Sequence, residues 1–307
     1  MTAGPKAAIT HKMLVQFQNA SKSLGAFDVL HEISFQIQPG QKVGLIGANG
    51  AGKTTLLSLI AGPEEPDSGR VTRASGMRIG KLSQILDFHK CTTVLSSALE
   101  CFDWLRTIES QLGEMEVSIA DRPDPDLLER YSELQGRFEF QRGYSYRART
   151  EAALQGVGFC REQFSQPVNS LSGGEKNRLA LARLLLSDVD LFLLDEPTNH
   201  LDIRSIEWLE HYLRGTDRAL LIVSHDRFFL DRIVTRILDL QQGRLNEYAG
   251  NYSAYLRLHR ERMKLQTKEW QRQQEWIVRT ENYIQRNIAG QKPRQAQSRR
   301  NTLARTR

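Results

Sequence analysis

The run Gly47-Ala48-Asn49-Gly50-Ala51-Gly52-Lys53-Thr54 constrains this chain more than any other stretch, because it satisfies the pattern G-x-x-x-x-G-K-[ST] in full. A short apolar strand is predicted before it at residues 43–46 and a helix after it at 54–61, so the loop would join a strand to a helix N-terminus. Backbone N–H groups at such a terminus have no intrahelical partner and can surround phosphate oxygens. The glycines let the chain turn back close to those oxygens, and Lys53 can neutralise the β and γ phosphates. The Thr54 hydroxyl, followed by Thr55, is placed to reach Mg²⁺. This is the signature of a nucleoside triphosphate site.

At 307 residues the chain is long enough for about two domains, each with a real core. Its three cysteines, Cys91, Cys101 and Cys160, are odd in number and lack C-x-x-C spacing, which argues against a disulfide framework or a zinc site and for a reduced, cytoplasmic protein. No signal-peptide core precedes residue 12 and no apolar run is long enough to span a bilayer, so direct membrane insertion is not expected. The net charge of +6 is unevenly placed. Residues 257–307 carry fourteen Lys/Arg against four Glu, a balance of +10 that leaves −4 on residues 1–256.

Residues 14–18 and 33–37 are predicted as short strands, joined through a loop containing Leu24, Gly25 and Phe27. Further strands are expected at 69–72 and 78–82, the second delivering Gln84. Residues 94–112 and 126–138 read as amphipathic helices separated by Asp121-Arg122-Pro123-Asp124-Pro125, which suggests a helical subdomain with a helical hairpin over about 85–188.

The stretch Leu171-Ser172-Gly173-Gly174-Glu175-Lys176 opens another helix, whose N-terminus suits an anion. Residues 191–194 form a buried-strand run ending in Asp195-Glu196, and 219–223 a second one ending at Ser224-His225-Asp226. Both ends lie where open α/β sheets bind ligands. One carboxylate can hold Mg²⁺ and the other can act on an attacking water.

Taken together, the phosphate loop, Gln84, Leu171 to Glu175, Asp195-Glu196, Asp202 and His225 resemble an ATP-binding cassette ATPase over roughly residues 12–252. The run Asp195-Glu196-Pro197-Thr198-Asn199-His200-Leu201-Asp202 is similar to class F, whose members lack transmembrane domains and mostly act on ribosomes. Leu171-Ser172-Gly173-Gly174-Glu175-Lys176-Asn177-Arg178, Val223 to Asp231 and Tyr248-Ala249-Gly250-Asn251-Tyr252 agree with that class.

The resemblance implies a P-loop α/β core with an antiparallel β subdomain and a helical subdomain, followed by a long helical linker over 253–307. It implies ATP with Mg²⁺: Gly47 to Thr55 around the phosphates, Thr54, Asp195 and Gln84 at the metal, Glu196 polarising water and His225 at the γ-phosphate. Ser172, Gly173, Gly174 and Glu175 would serve the nucleotide of a second cassette, with Asp202 at the interface. In many such ATPases an aromatic stacks on adenine. Leu24 aligns with that position and Phe27 is the nearby aromatic, stacking on adenine or filling the core.

Class F chains carry two cassettes and this one has a single copy, so either a second follows a truncated linker or the chain pairs with itself. Residues 252–288 read as one charge-laced helix with an apolar stripe of Trp270, Trp276, Ile277, Tyr283 and Ile284, before a turn at Gly290 and Pro293. Arg286, Lys292, Arg294, Arg299 and Arg300 around that turn have the composition of either a phosphate-contacting surface or a solvated helical linker, and the resemblance to class F, whose linker approaches transfer RNA and ribosomal RNA, implies the first. Three alternatives remain: the ATPase subunit of a membrane transporter, against which Asn199-His200 argues; a nucleotide-regulated scaffold that hydrolyses little, against which Lys53, Asp195, Glu196 and His225 argue; and a DNA-associated class F protein.

Overall fold

The computed structural model describes residues 13–25, 27–82, 93–122 and 124–287, together with 298, 300 and 303. Gln84, Cys91, Gly290, Lys292, Pro293, Arg294 and Arg299 lie outside them. The chain divides into two units, residues 1–252 and 253–307.

Two sheets make the first unit. One is antiparallel, with β1 (Val15–Leu24) between β2 (Phe27–Ile37) and β4 (Ser68–Arg73). The other has six strands: β5 (Ile79–Lys81), β6 (Leu191–Asp195), β7 (Ala219–Val223), β3 (Lys42–Gly47), β8 (Arg236–Gln241) and β9 (Arg244–Ala249), in that spatial order. All its pairs are parallel except β8 with β9. Continuous apolar runs explain the central position of β6 and β7, since a strand covered on both faces has no polar side to show. Helix α1 (Lys53–Ala61) buries Leu56, Leu57, Leu59 and Ile60 in one cluster with Phe17, Ile33, Val43 and Leu221, which joins the two sheets through a common core.

The β1–β2 hairpin is longer than its sequence suggests. Leu24 pairs with Phe27 across its tip, so the expected loop is a tight turn with Gly25 at φ 62°. Register shifts between Phe17 and Lys22, with Asn19 and Glu32 in the left-handed region, break the in-out alternation that would have marked the outer half as strand. Phe27 is 79% exposed, which excludes its role as a core residue.

The helical region contains α2 (Val94–Leu99), α3 (Asp103–Asp121), α4 (Pro125–Phe140) and α5 (Tyr146–Gly156). The single helix expected over 94–112 is split by a 3₁₀ turn at Glu100–Phe102, which re-aims the chain so that Phe102 and Leu105 both enter the core. Helices α3 and α4 form a hairpin across which the Tyr131 hydroxyl donates to Glu116 at 2.7 Å, and Asp124 with Pro125 starts the second arm. Then follow α6 (Gly173–Leu186), α7 (Ile203–Gly215) and α8 (Arg227–Ile233).

Helix α9 (Tyr252–Asn287), which belongs to the second unit from its second residue on, runs for 36 residues, about 54 Å at 1.5 Å per residue. Of the expected apolar stripe Ile277 is buried, whereas Trp270 and Trp276 are exposed. Among the described residues no helix is long and apolar enough to cross a membrane.

Candidate functional site

The spatial order β6-β7-β3 brings three sequence motifs to one edge. The strands are parallel and in register, with Asp195 beside Val223 and Leu45 beside Val223. The phosphate loop leaves the C-terminal end of β3, Ser224 and His225 leave β7, and Glu196 leaves β6. Sequence separations of more than 140 residues thus collapse to neighbouring strand ends.

The loop from Ala48 to Gly52 turns directly into α1. Gly50 and Gly52 have φ of 78° and 99°, and a Cβ on Gly52 would lie 2.6 Å from Val29 Cγ1, so only glycine fits where the loop passes under β2. Ala51 N donates to Ala48 O at 3.1 Å and closes the turn. Lys53 curls back over it, donating to the carbonyls of Gly47 and Ala48 at 2.9 Å each, which sets the ammonium at the loop's centre. Thr54 is exposed and Thr55 half-buried in the first turn of α1. Leu24 and Phe27, both exposed, form the tip of the β1–β2 hairpin, and Val29 follows two residues after Phe27 on β2.

Asp195 is half-buried. Burial raises its pKa, and the nearby ammonium groups of Lys53 and Lys81 pull it back down. A carboxylate held this way gains from a further cation, so its chemistry fits Mg²⁺. Glu196 follows with φ 48°, its amide donating to Val223 O at 2.8 Å. Its Oε2 accepts from the His225 amide at 3.3 Å, and Oε1, buried and without a hydrogen-bond partner, stands 3.6 Å from His225 Nε2. His225 itself is 65% exposed.

Ser172 caps α6 in a reciprocal box. Its Oγ accepts from Glu175 N at 3.3 Å, while its own N–H and O–H donate to Glu175 Oε2 at 2.9 and 2.7 Å. These bonds hold the Glu175 carboxyl below the usual range. Gly173 and Gly174 start the helix, and Gly174 lies against the His200 ring. Asp202 caps α7 by accepting from Ser205 N at 2.8 Å. Glu175, expected among the nucleotide contacts, here closes the helix cap, as the Ser-x-x-Glu spacing encodes. Arg178, which no motif marks as more than a helix residue, lies close to this cap. Arg178 donates to the His200 carbonyl at 3.3 Å.

The family described as ABC transporter matches residues 30–199, and a second family of the same description matches 238–307. The chain belongs to the ABC transporter family. Relatives of this cassette include ABC transporter F family member 5 of Arabidopsis thaliana, 38% identical over 90% of the chain and 41% of that protein. The tylosin resistance ATP-binding protein TlrC of Streptomyces fradiae is 38% identical over 85% of the chain and 48% of TlrC. The energy-dependent translational throttle protein EttA of Mycobacterium tuberculosis is 34% identical over 94% of the chain and 50% of EttA. The chain therefore spans about half the length of the curated relatives it matches. In fold it resembles a dimeric ATP-binding cassette solved in a post-hydrolysis state with ADP and Pi, with a TM-score of 0.53 at 22% identity over 77% of this chain and 98% of that one.

Proposed function

We propose that this ABC cassette is an ATP hydrolase of class F that pairs with a second cassette and works as an ATP-driven clamp on the ribosome. The observation that carries the reading is the meeting of Glu196 and His225 at strand ends beside the phosphate loop. ATP phosphates would lie against the backbone of Gly47, Ala48, Asn49, Gly50, Ala51 and Gly52 with Lys53 between them. Thr54 and Asp195 would hold Mg²⁺, with Gln84 joining them, and the ion when bound neutralises charge on the phosphates. Glu196 would accept the proton of the attacking water through its unpartnered Oε1, and the exposed His225 imidazole would contact the γ-phosphate.

Ser172, Gly173 and Gly174, on a different helix N-terminus, would close over the nucleotide of the second cassette, whether that is another part of a longer chain or another copy. The dimeric cassette of like fold supports this pairing. The translational throttle among the relatives, and the +10 balance of residues 257–307, support a ribosomal target contacted through RNA phosphates.

The test uses Glu196→Gln with ATP in cell extract. Co-sedimentation with ribosomes that disappears with ADP is the expected result. Hydrolysis by the wild-type chain without any ribosome association would overturn the ribosomal target and favour a transporter subunit, and displacement by branched DNA but not ribosomal RNA would favour a DNA-associated role. Replacing Arg294, Arg299 and Arg300 together should lower the salt dependence of RNA binding, and an unchanged slope would leave residues 253–307 a plain linker.

A further inference from the structure

Arg178 stands between two parts of the nucleotide machinery that have no covalent neighbour in common. It projects from α6, six residues after the cap Ser172. Its Nη1 donates to the His200 carbonyl at 3.3 Å, its Nη2 lies 4.0 Å from Glu175 Oε1, and its guanidinium covers the Phe159 ring at 5.5 Å. Gly174 of the same helix meets His200 from another side, since a Cβ placed there would be 3.5 Å from the imidazole. Helix α6 therefore holds the segment after Glu196 by one backbone carbonyl and one ring.

That segment needs holding. Glu196 and His200 have φ of 48° and 67°, a conformation that L side chains adopt only where the surroundings impose it. Two weak turns, Asn199 N to Glu196 O and Leu201 N to Thr198 O, both at 3.2 Å, are its internal backbone bonds. A cavity of about 170 Å³ separates it from α6, lined by Asn177, Arg178 and Leu181 on one side and Glu196, Asn199 and His200 on the other, so this seam is not close-packed.

Glu175 has two places to go. Its Oε2 accepts both bonds from Ser172, and its Oε1 accepts from Gln163 Nε2 at 3.2 Å. Arg178 is within ion-pair range of that Oε1 but beyond hydrogen-bond distance, and Arg178 Nε is buried with no hydrogen-bond partner. An anion arriving at the α6 N-terminus would compete for the Ser172 O–H and N–H and would repel the Glu175 carboxylate, for which the nearest cation is Arg178.

We infer that Arg178 is a positioning residue that relays the state of Ser172 to the loop carrying Glu196, through Glu175 on one side and the His200 carbonyl on the other. The inference rests on the proposed pairing, in which the anion at Ser172 is the γ-phosphate of the second cassette's nucleotide. It adds that each cassette reads that contact and adjusts its own Glu196. By linkage the effect runs both ways: a loop that favours the Arg178 to His200 bond also favours anion binding at Ser172.

Amide hydrogen exchange on the 307-residue chain tests the relay without any ATP turnover. Arg178→Lys keeps the charge and loses the fork, so exchange at Asn199 and Leu201 should quicken at least about tenfold while the Gly62 amide at the end of α1 is unchanged. Glu175→Gln, a change on the other side of Arg178, should alter the same two amides, and the double variant should go no further than Arg178→Lys alone. Exchange at Asn199 and Leu201 that ignores Glu175→Gln, or effects that multiply, overturns the relay. Should Arg178→Lys fail to fold, Glu175→Gln alone decides it. A second cycle, Ser172→Ala with Arg178→Lys, read in kcat with nucleotide affinity measured separately, should be non-additive in kcat only. A wild-type chain that never hydrolyses ATP, even when paired, removes the proposed function and leaves the exchange result standing on its own.

Discussion

The His225 amide donates to Glu196 Oε2 at 3.3 Å while its imidazole Nε2 stands 3.6 Å from Oε1, so the residue that leaves β7 holds the carboxylate that leaves β6. Glu196→Gln keeps an acceptor for the His225 amide and removes the carboxylate proposed to take the proton of the attacking water. Turnover should fall by about 10²-fold or more, with nucleotide affinity unchanged. Steady-state hydrolysis alongside a nucleotide titration checks this, and wild-type turnover by the variant would reject Glu196 as the base.

Leu24 is half-exposed at the tip of the β1–β2 hairpin, opposite Phe27. If adenine lies on that tip, Leu24→Tyr offers it a larger flat face, and ATP should bind about five- to tenfold tighter, an increment within the range of one aromatic stack. A fluorescent-nucleotide titration reads the change. No change with Leu24→Tyr together with weaker binding by Phe27→Ala would assign the contact to Phe27.

A Cβ on Gly156 in α5 would sit 2.1 Å from the Trp208 indole of α7, whose ring in turn stacks on Tyr212. Gly156→Ala should therefore cost about 1–3 kcal/mol by overpacking and lower the Tm by about 2–12 °C. Gly113→Ala in α3, where nothing lies within 4 Å, is the control and should hold or raise the Tm. Equal melting of the two variants would mean that α5 and α7 separate easily.

Asp202 and Glu175 both have pKa values below the usual carboxylate range, Asp202 through the Ser205 amide and Glu175 through Ser172. A depressed folded-state pKa contributes stability that is present above the unfolded value and lost as pH falls through the folded one. The chain should lose stability below about pH 4 as these caps protonate. Asp202→Asn still caps α7 and cannot titrate, so urea melts from pH 7 to pH 3 should fall less steeply for it than for wild type. Parallel curves would put the acid loss elsewhere.

Strands β6 and β7 were readable from sequence because residues covered on both faces must be apolar, and Leu191-Phe192-Leu193-Leu194 and Ala219-Leu220-Leu221-Ile222-Val223 leave no other reading. The phosphate loop was readable because its glycines and Lys53 have few other uses. The outer half of the β1–β2 hairpin was hidden by its bulges, which destroy period two, and by polar residues such as Asn19, Ser21 and Lys22. The break between α2 and α3 was hidden because a 3₁₀ turn keeps a nearly helical spacing of apolar residues. Arg178 was invisible as a site residue for a different reason. Its contacts, His200 and Phe159, lie 22 and 19 residues away in sequence, and an arginine on a helix carries no mark of which carbonyl it will reach.

Strands β6 and β7 are each five residues long and pair without a slip from Leu191 beside Ala219 to Asp195 beside Val223. The sheet is in effect a ruler, and the groups that follow Asp195 and Val223 stand at its end marks. One residue inserted into either strand would shift a mark by about 3.3 Å and turn alternate side chains to the wrong face, without altering any residue at the site. The chain should tolerate a change of side chain inside these strands far better than a change of length, and the spacing between motifs is as much a part of the site as Glu196 itself.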